Sequence, residues 1–236
     1  MSEPIVRVRG VEKDYVIPGT VLHVLRGVDL EICAGQIVAI QGASGVGKST
    51  LLHIVGTLDR PTRGTVELAG CNVFALPDWQ LAAFRNRHIG FVFQFHHLMP
   101  EFTALENVMI PGLLGPVRSE AARRRARELL EAVGLSERER HKPDELSGGE
   151  QQRVAVARSL FHEPPLVIAD EPSGNLDPET AERLHELVYT LAKDRGQSWL
   201  IATHNESLAR IADKRSRLMQ GRLVPEAVLR IDDPRL

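Results

Sequence analysis

The hydrophobic positions of the chain fall first into short apolar runs that predict strands. Residues 37–40 and 166–169 are fully apolar and residues 198–202 are nearly so, and such runs are typical of strands buried on both faces of a parallel sheet. Residues 5–11 instead alternate apolar and charged side chains, which predicts a strand at the edge of a sheet. Further strands are predicted at 28–32, 64–68, 89–92 and about 215–224.

Helical patterns replace the strand patterns between about residues 95 and 162. Thr103 and Glu106 have the spacing of a capping box, in which each side chain bonds the backbone N–H of the other residue. Residues 119–133 form an amphipathic pattern, and Gly134 marks the end of that helix. The other predicted helices cover 49–55, 149–162 and 179–194. An α/β core with a helical interruption accounts for this order.

Composition places the chain among ordinary globular proteins. It has 236 residues, 43% hydrophobic and 25% charged, which suits one large domain. The formal charge of −2 gives no electrostatic argument for a nucleic-acid partner. The arginines between positions 123 and 127 share their helix with three glutamates, so we expect them on a solvated face.

Sequence signals for a secreted or membrane-spanning protein are weak. Cys33 and Cys71 are far apart and match no CxxC pattern, so neither a disulfide nor a zinc site is predicted. The first residues, MSEPIVRVRG, lack the apolar centre of a signal peptide. No apolar run approaches the roughly 20 residues of a membrane span. We therefore expect a cytoplasmic protein that meets a membrane only through partners.

The segment GASGVGKS, residues 42–49, fits the phosphate-loop pattern GxxxxGK[ST] in full. It follows an apolar strand and opens a helix, which is the context that the pattern requires. Its glycines let backbone N–H groups surround phosphates, and the helix N-terminus adds about half a positive charge. Lys48 is predicted to reach the β- and γ-phosphates of a nucleotide and Ser49 to bind Mg²⁺.

A pair of acidic residues follows the apolar run at 166–169. Asp170 and Glu171 come at the carboxyl end of that strand, where open α/β sheets bind their ligands. Alone, such a pair is as often a turn or a helix cap. With a phosphate loop upstream, we expect Asp170 to hold Mg²⁺ through water and Glu171 to act as the general base toward an attacking water.

The segment LSGGEQQR, residues 146–153, combines a helix start with two poor helix formers. Ser147 and Glu150 have capping-box spacing, yet Gly148 and Gly149 each cost about 1 kcal/mol relative to alanine in a helix. Glycine is found where another group approaches the backbone closely. Three further residues, Tyr15, Gln94 and His204, are unremarkable one at a time.

The order of these features resembles the ATP-binding subunits of ABC transporters. Tyr15, GASGVGKS, Gln94, LSGGEQQR, LVIADEP, SGNLD and His204 carry the resemblance, which covers about residues 5–224. It implies an α/β fold: a RecA-like phosphate-loop NTPase core with an antiparallel β edge subdomain and an inserted α-helical subdomain. Residues 1–236 would form a single ABC ATPase domain, with about 1–93 and 164–236 as the core and about 94–163 as the helical subdomain.

The same resemblance implies an ATPase that works as a head-to-tail homodimer. Each ATP would lie between the phosphate loop of one copy and the LSGGE segment of the other, so that the γ-phosphate of the partner's ATP approaches Gly148 and Gly149. The family commonly has glutamine where this chain has Glu150. The full set of predicted site residues is Glu171, His204 and Gln94 for catalysis; Tyr15, Gly42, Ser44, Gly45, Gly47, Lys48, Ser49, Thr50, Ser147, Gly148 and Gly149 for ATP; and Ser49, Gln94 and Asp170 for Mg²⁺.

One further stretch narrows the group within the family. QFHHLMPEFTALENV, residues 94–108, is similar to the ATPase subunits of lipoprotein-releasing systems, which act at the cytoplasmic face of the bacterial inner membrane. The apolar side chains between Phe95 and Phe102 would form the docking surface for integral membrane subunits. MacB-like efflux cassettes and FtsE-like ATPases, which control cell-wall or division partners without transport, share much of the pattern and remain alternatives.

Overall fold

The computed structural model describes residues 3–226, and its strands form two sheets. In chain order the strands are β1 (Pro4–Ile17), β2 (Thr20–Cys33), β3 (Ile37–Gln41), β4 (Arg63–Leu68), β5 (Cys71–Asn72), β6 (Ile89–Phe93), β7 (Leu166–Asp170), β8 (Ser198–Ala202), β9 (Lys214–Met219) and β10 (Arg222–Glu226). The α-helices are α1 (Lys48–Val55), α2 (Asp78–His88), α3 (Ala104–Leu113), α4 (Ser119–Ala132), α5 (Gly148–Ser159), α6 (Pro178–Arg195) and α7 (Glu206–Arg210). The predicted domain bounds, residues 1 and 236, lie outside the described residues.

The larger sheet has the strand order β10-β9-β3-β8-β7-β6. Its pairs are parallel except for the hairpin of β9 and β10. Along β3, Ile37 and Ala39 face one hydrophobic cluster while Val38 and Ile40 face the other. Both faces of the strand are therefore buried against apolar side chains. For this reason its sequence is a continuous apolar run and does not alternate between apolar and polar residues.

The smaller sheet is antiparallel, with the order β2-β1-β4-β5. The prediction of an edge strand at 5–11 is wrong, because β1 pairs with β2 on one side and with β4 on the other. Its charged side chains are accommodated by cross-strand ion pairs, such as Arg7 with Glu67 at 3.1 Å. The apolar side of this sheet and α1 pack on one face of the larger sheet, as one continuous cluster.

Helices α3, α4 and α5 lie in the chain between β6 and β7 and pack with α6 on the other face of the larger sheet. The predicted capping box at Thr103 and Glu106 is confirmed. Helix α5 ends at Ser159, three residues before the predicted end. Helix α2 was not predicted, because among its residues only Leu81 is buried and the sequence shows no apolar stripe there.

The structure shows where two groups of polar side chains lie, the arginines of α4 and the two cysteines. The expected solvated face does not hold for one of the arginines. Arg125 does not lie on a solvated face: its side chain is 23% exposed and donates to Phe161 O and Glu163. Cys33 and Cys71 are half-buried, and neither forms a disulfide within the described chain. Between residues 3 and 226, no helix has both the length and the apolar character that a bilayer crossing demands.

Candidate functional site

The predicted site residues cluster because four parallel strands end at one edge of the larger sheet. The phosphate loop follows β3, Gln94 follows β6, Asp170 ends β7 with Glu171 after it, and His204 follows β8. Carboxyl ends of parallel strands share an edge, and open α/β sheets bind ligands there. The sheet thus brings together residues that are up to about 160 positions apart.

Backbone geometry explains the glycines of the phosphate loop. Gly42, Gly45 and Gly47 have φ angles of 154°, 75° and 108°, a region that residues with a Cβ rarely adopt. Space is also limiting at two of them. A Cβ on Gly42 would lie 2.7 Å from Leu218 O, and one on Gly47 would lie 2.8 Å from Val24 Cγ1. Conformation and space thus both favour glycine at positions 42 and 47, whereas conformation alone favours it at position 45.

Helix α1 begins directly after this loop with its N-terminal backbone groups left for a ligand. Its N-cap is Gly47, which has no side chain to bond the first N–H groups, and its first turn contains no acidic residue. Such a helix N-terminus carries partial positive charge and unpaired donors. It fits an anion such as a phosphate.

Lys48 supplies the full positive charge of this site. The residue is 8% exposed, and its ammonium donates to Gly42 O at 2.9 Å and to Ala43 O at 3.2 Å. It also lies 3.7 Å from a carboxylate oxygen of Glu171. Neutral carbonyls are weaker acceptors than phosphate oxygens, so the ammonium can exchange them for a bound triphosphate.

Glu171 lies between Lys48 and His204. Its Oε2 is 2.9 Å from His204 Nδ1 and accepts the backbone N–H of His204 at 3.2 Å. Its own backbone N–H donates to Ala202 O at 2.9 Å. The φ angle of Glu171 is 47°, an uncommon conformation for a residue with a side chain that surrounding contacts must maintain. The carboxylate is thus held in a fixed place at the sheet edge.

The oxygen atoms near the phosphate loop fit Mg²⁺. Ser49, Gln94 and Asp170 line one cavity with the loop, and they offer a hydroxyl, an amide and a carboxylate oxygen, the hard donors that Mg²⁺ prefers. Within residues 3–226, no three His, Cys, Asp or Glu side chains come together as a metal site. Mg²⁺ usually takes one or two protein ligands besides phosphates and water, so the donor set matches a metal that arrives with a nucleotide.

That cavity measures about 570 Å³, a size typical of small-molecule sites. Besides the metal-site residues and Glu171, it is lined by six predicted nucleotide-binding residues: Tyr15, Ser44, Gly45, Gly47, Lys48 and Thr50. Gly42 and His204 instead line an adjoining cavity of about 430 Å³. The structure therefore brings most of the predicted nucleotide site into one space.

Tyr15 lines the same cavity and is fixed by its hydroxyl. The hydroxyl donates to Asp59 Oδ2 at 2.9 Å, and Lys13 Nζ lies 4.8 Å from the centre of the ring. Burial, and next the bond to Asp59, raise the pKa of Tyr15. Burial alone would raise the pKa of Asp59 too, but hydrogen bonds from Lys13 and Tyr15 lower it. The ring is oriented and half-exposed, as a platform for a flat apolar group would be.

The N-terminus of α5 forms a separate site. The predicted capping box is confirmed: Ser147 Oγ accepts from Glu150 N, and Glu150 Oε2 accepts from Ser147 N at 2.9 Å. Arg138 donates to Glu150 Oε1 at 3.0 Å. The backbone bond from Ser147 and then the Arg138 bond lower the pKa of Glu150 to about 2. Ser147 and Gly149 line a third cavity, of about 500 Å³, which shares no residue with the phosphate cavity.

The two glycines of α5 have different surroundings. A Cβ on Gly149 would lie 2.4 Å from Thr180 Cγ2, whereas one on Gly148 would meet only Leu176 Cδ2 at 3.7 Å. Close packing against Thr180, at the start of α6, thus explains Gly149 within the chain itself. Gly148 is exposed, and a Cβ there would make only an ordinary van der Waals contact. Packing within the described residues does not explain Gly148, so the prediction of an approaching ligand stays a prediction for that residue.

The segment between Phe95 and Phe102 exposes apolar side chains, as predicted, with one exception. Phe95, Met99 and Phe102 are 66%, 46% and 43% exposed. Leu98 instead packs against the core. Helix α5 fixes the backbone of this segment, because the guanidinium of Arg158 donates hydrogen bonds to His96 O and His97 O, both at 2.7 Å.

Sequence reasoning missed several residues that support the site. Asn175 exchanges hydrogen bonds with Gln94, whose Nε2 donates to Asn175 Oδ1 at 3.0 Å. Its place in the SGNLD segment was the available signal. Asp59 and Thr180 gave no signal, since each acts on a residue that is distant in the sequence.

Comparisons with known proteins agree with this geometry. A family model described as ABC transporter matches residues 25–174. The lipoprotein-releasing system ATP-binding protein LolD of Bacteroides fragilis (strain YCH46) is 53% identical over 203 residues, covering 86% of this chain and 94% of that protein. LolD of Geobacter metallireducens (strain ATCC 53774 / DSM 7210 / GS-15) is 53% identical over 222 residues, covering 94% of this chain and 99% of that protein.

Solved structures are similar over most of their length. The dimeric post-hydrolysis state of the ATP-binding cassette MJ0796 bound to ADP and Pi has a TM-score of 0.87 and 38% identity, covering 94% of this chain and 98% of that one. CbiO1 from Clostridium perfringens, part of the ABC transporter complex cbiONQ, has a TM-score of 0.84 and 27% identity, covering 94% and 88%. Both likenesses extend to the α/β core and the helices between β6 and β7.

Proposed function

The chain belongs to the ABC transporter family and is an ATPase subunit of that family, and from this premise we propose that two copies form a head-to-tail dimer that drives release of lipoproteins from the bacterial inner membrane. One observation carries the dimer: Ser147 and the phosphate loop line separate cavities of the same chain. A second copy, turned head to tail, supplies the missing half of each ATP site.

The cargo rests on similarity to named relatives. Both LolD proteins are named as parts of lipoprotein-releasing systems, and each matches at 53% identity. This favours lipoprotein release over MacB-like efflux and over FtsE-like control of division partners. The exposed side chains of Phe95, Met99 and Phe102 offer an apolar surface for the integral membrane subunits. The protein then works at the cytoplasmic face of the inner membrane, as a peripheral subunit.

Binding of ATP uses the loop and helix α1. Backbone N–H groups of the loop and of the α1 N-terminus donate to the phosphates, and Lys48 adds charge at the β- and γ-phosphates. Tyr15 stacks on the adenine ring. Ser49 and Gln94, and Asp170 through water, would hold Mg²⁺, which would neutralise negative charge on the phosphates.

Hydrolysis uses the carboxylate of Glu171 as general base. It accepts a proton from a water as the water oxygen bonds to the γ-phosphorus and the bond to the β,γ-bridging oxygen breaks. His204 orients the carboxylate through its contacts with Oε2. The partner's Ser147 and the backbone N–H groups at the start of the partner's α5 donate to the γ-phosphate oxygens. The dipole of that helix adds positive potential there. Positive potential thus reaches the γ-phosphate from both copies.

Two measurements test the dimer. ATPase activity per molecule should rise with protein concentration in the dilute range, because a site shared by two copies exists only in the dimer. A Glu171→Gln protein should bind ATP and elute as a dimer. A flat concentration profile, or a monomeric elution with ATP and Mg²⁺, contradicts the shared site.

Co-purification tests the cargo. The protein, tagged and extracted from membranes in detergent, should bring down integral membrane partners together with acylated lipoproteins. The matched control is a variant with Met99 and Phe102 changed to serine, which should retain nucleotide binding because neither side chain lines the phosphate cavity, and which should lose the membrane partners. Recovery of division proteins without any lipoprotein would support the FtsE-like alternative instead.

A further inference from the structure

A buried histidine lies behind Glu171 and His204, and the proposed mechanism does not use it. His185 is in the middle of α6 and is 2% exposed. An imidazole that is removed from water must find hydrogen-bond partners within the protein. The partners of His185 therefore show which parts of the structure it connects.

Each ring nitrogen of His185 contacts a serine in a different segment, one in the loop after β7 and one in the first turn of α7. Nε2 lies 2.8 Å from Ser173 Oγ, and Ser173 stands two residues after Glu171. Nδ1 lies 3.1 Å from Ser207 Oγ, and Ser207 stands three residues after His204. One side chain thus bridges the segments that follow β7 and β8, and these segments also contact each other at 2.9 Å through Glu171 and His204.

The direction of these hydrogen bonds follows from Asn205. Its Oδ1 accepts the backbone N–H groups of Ser207 at 2.9 Å and Leu208 at 3.3 Å, so this atom is the amide oxygen and accepts only. Ser207 Oγ, 2.8 Å away, must donate its single proton to it. Ser207 Oγ then accepts from Nδ1–H of His185, which leaves Nε2 to accept from the hydroxyl of Ser173.

The neutral ring that this chain of hydrogen bonds requires suits its environment. Burial lowers the pKa of His185, and the Glu182 carboxylate, 3.7 Å from Nδ1, opposes that effect only in part. Glu182 is 60% exposed and is therefore well screened by solvent. The ring stays neutral at physiological pH, with its proton on Nδ1.

We propose that His185 is a positioning residue that holds Glu171 and His204 in their mutual geometry by connecting the chain segments that follow them. The inference rests on the proposed roles of Glu171 and His204. Ser173 Oγ is the anchor on one side, because the turn that begins at Glu171, closed by Gly174 N to Glu171 O at 3.0 Å, contains it. Ser207 and Asn205 form the anchor on the other side.

The backbone of Glu171 explains why a second tie is needed. Its φ of 47° is a conformation that the local chain does not favour. The contact between Glu171 and His204 is at the edge of the site, and the His204 side chain is 71% exposed. Without the buried connection, both residues can turn away together while their direct contact persists. A displacement of about 1 Å at a reacting group can cost about 100-fold in rate.

Steady-state kinetics of His185→Phe test the proposal. Phenylalanine keeps a planar ring and removes both hydrogen bonds. We expect kcat to fall about 10-fold while KM for ATP changes less than about 2-fold, because the tie orients the base and does not touch the nucleotide. His185→Gln, which can still accept from Ser173, should retain more kcat than His185→Phe. The matched control is Glu182→Gln, which leaves the chain of bonds intact and should keep the wild-type kcat.

A double-mutant cycle separates positioning from general loss of stability. Ser207→Ala breaks the same connection from its other end, so the double variant His185→Phe/Ser207→Ala should lose no more kcat than His185→Phe alone. Losses that multiply, or a His185→Phe protein with unchanged kcat, overturn the proposal. A parallel change of kcat and KM does so too.

A spectroscopic measurement applies even where His185→Phe does not fold. Nitrogen-15 NMR of the wild-type protein should show His185 as the neutral tautomer with the proton on Nδ1, and Ser207→Ala should alter that resonance. A protonated ring, or a proton on Nε2, contradicts the chain of hydrogen bonds.

The Glu171→Gln variant tells the two proposals apart. If Glu171→Gln keeps ATP turnover, the proposed catalytic site fails. If Glu171→Gln loses turnover while His185→Phe has normal kinetics, only the inference about His185 fails.

Discussion

The phosphate loop and the start of α5 both depend on glycine, for different physical reasons. Gly42, Gly45 and Gly47 have positive φ angles, so the loop needs glycine for its conformation. Gly148 and Gly149 lie within a helix, where any residue could adopt the backbone angles. Only space distinguishes them: a Cβ on Gly149 would clash with Thr180 Cγ2 at 2.4 Å, whereas one on Gly148 would make only an ordinary contact with Leu176 Cδ2 at 3.7 Å.

The N-termini of α1 and α5 also differ, in their capping and in the charge beside them. Helix α1 has no side-chain cap, and its cavity contains the ammonium of Lys48. Helix α5 has a complete capping box, whose carboxylate, Glu150, is neutralised by Arg138. The first is prepared for an anion within one chain. At the second, the Ser147 hydroxyl donates to Glu150 at 2.9 Å and must turn before it can donate to a phosphate. Four predictions test this difference.

The largest effect is expected at the phosphate loop. Lys48→Ala should weaken ATP binding about 100-fold, because the loss of two charge-assisted hydrogen bonds of about 1.5 kcal/mol each amounts to about 3 kcal/mol. Isothermal titration calorimetry of the isolated protein measures it. The matched variant Gly148→Asp should leave binding to the monomer unchanged, since its cavity is separate. Equal losses in both variants would mean that the two regions form one site within a chain.

Mixing two inactive variants tests whether the α5 site acts on a partner copy. Lys48→Ala and Gly148→Asp should each lose ATPase activity alone. In a mixed dimer both defects fall in one ATP site and the other site is intact, so an equimolar mixture should recover about a quarter of the wild-type activity. The measurement is phosphate release after the two proteins have exchanged subunits. A mixture that stays inactive contradicts the trans arrangement.

A smaller effect separates the two glycines of α5. Gly149→Ala should lower the free energy of unfolding by about 1–3 kcal/mol, because the new methyl group overpacks against Thr180. Thr180→Ser removes the Cγ2 atom at 2.4 Å and should restore most of that loss. Gly148→Ala is the control and should stabilise the fold by up to about 1 kcal/mol through helix propensity. Urea unfolding of the four proteins measures these differences.

The smallest effect concerns acid. The pKa of Glu150 is about 2 in the folded protein, below its unfolded value, so its charged form stabilises the fold. That contribution is complete above about pH 4.5 and is lost as pH falls toward 2. Glu150→Gln should therefore be less stable than wild type by about 1 kcal/mol at pH 7. The difference should shrink below pH 4.5 in urea titrations, and a gap that stays constant would exclude the Glu150 charge as its cause.

Local patterns were sufficient for the central elements and for the phosphate site. The apolar runs predicted β3, β7 and β8 within one residue, because strands buried on both faces admit few polar side chains. The phosphate loop could be predicted because its glycines are required by backbone angles that are local to the loop. Where burial is one-sided or slight the pattern fails: β1 was predicted at an edge, and α2, with only Leu81 buried, was missed.

The sequence by itself determined which segments are candidates to meet a nucleotide, since the conformations and charges that such a site requires are properties of short segments. Only the tertiary structure decided which residues hold those segments in place. Thr180 beside Gly149, Asp59 on Tyr15, and His185 between Ser173 and Ser207 all join positions that are distant along the chain or on different elements. Such contacts leave no periodic trace in a sequence, because they depend on how whole helices and strands pack and not on the preferences of neighbouring residues.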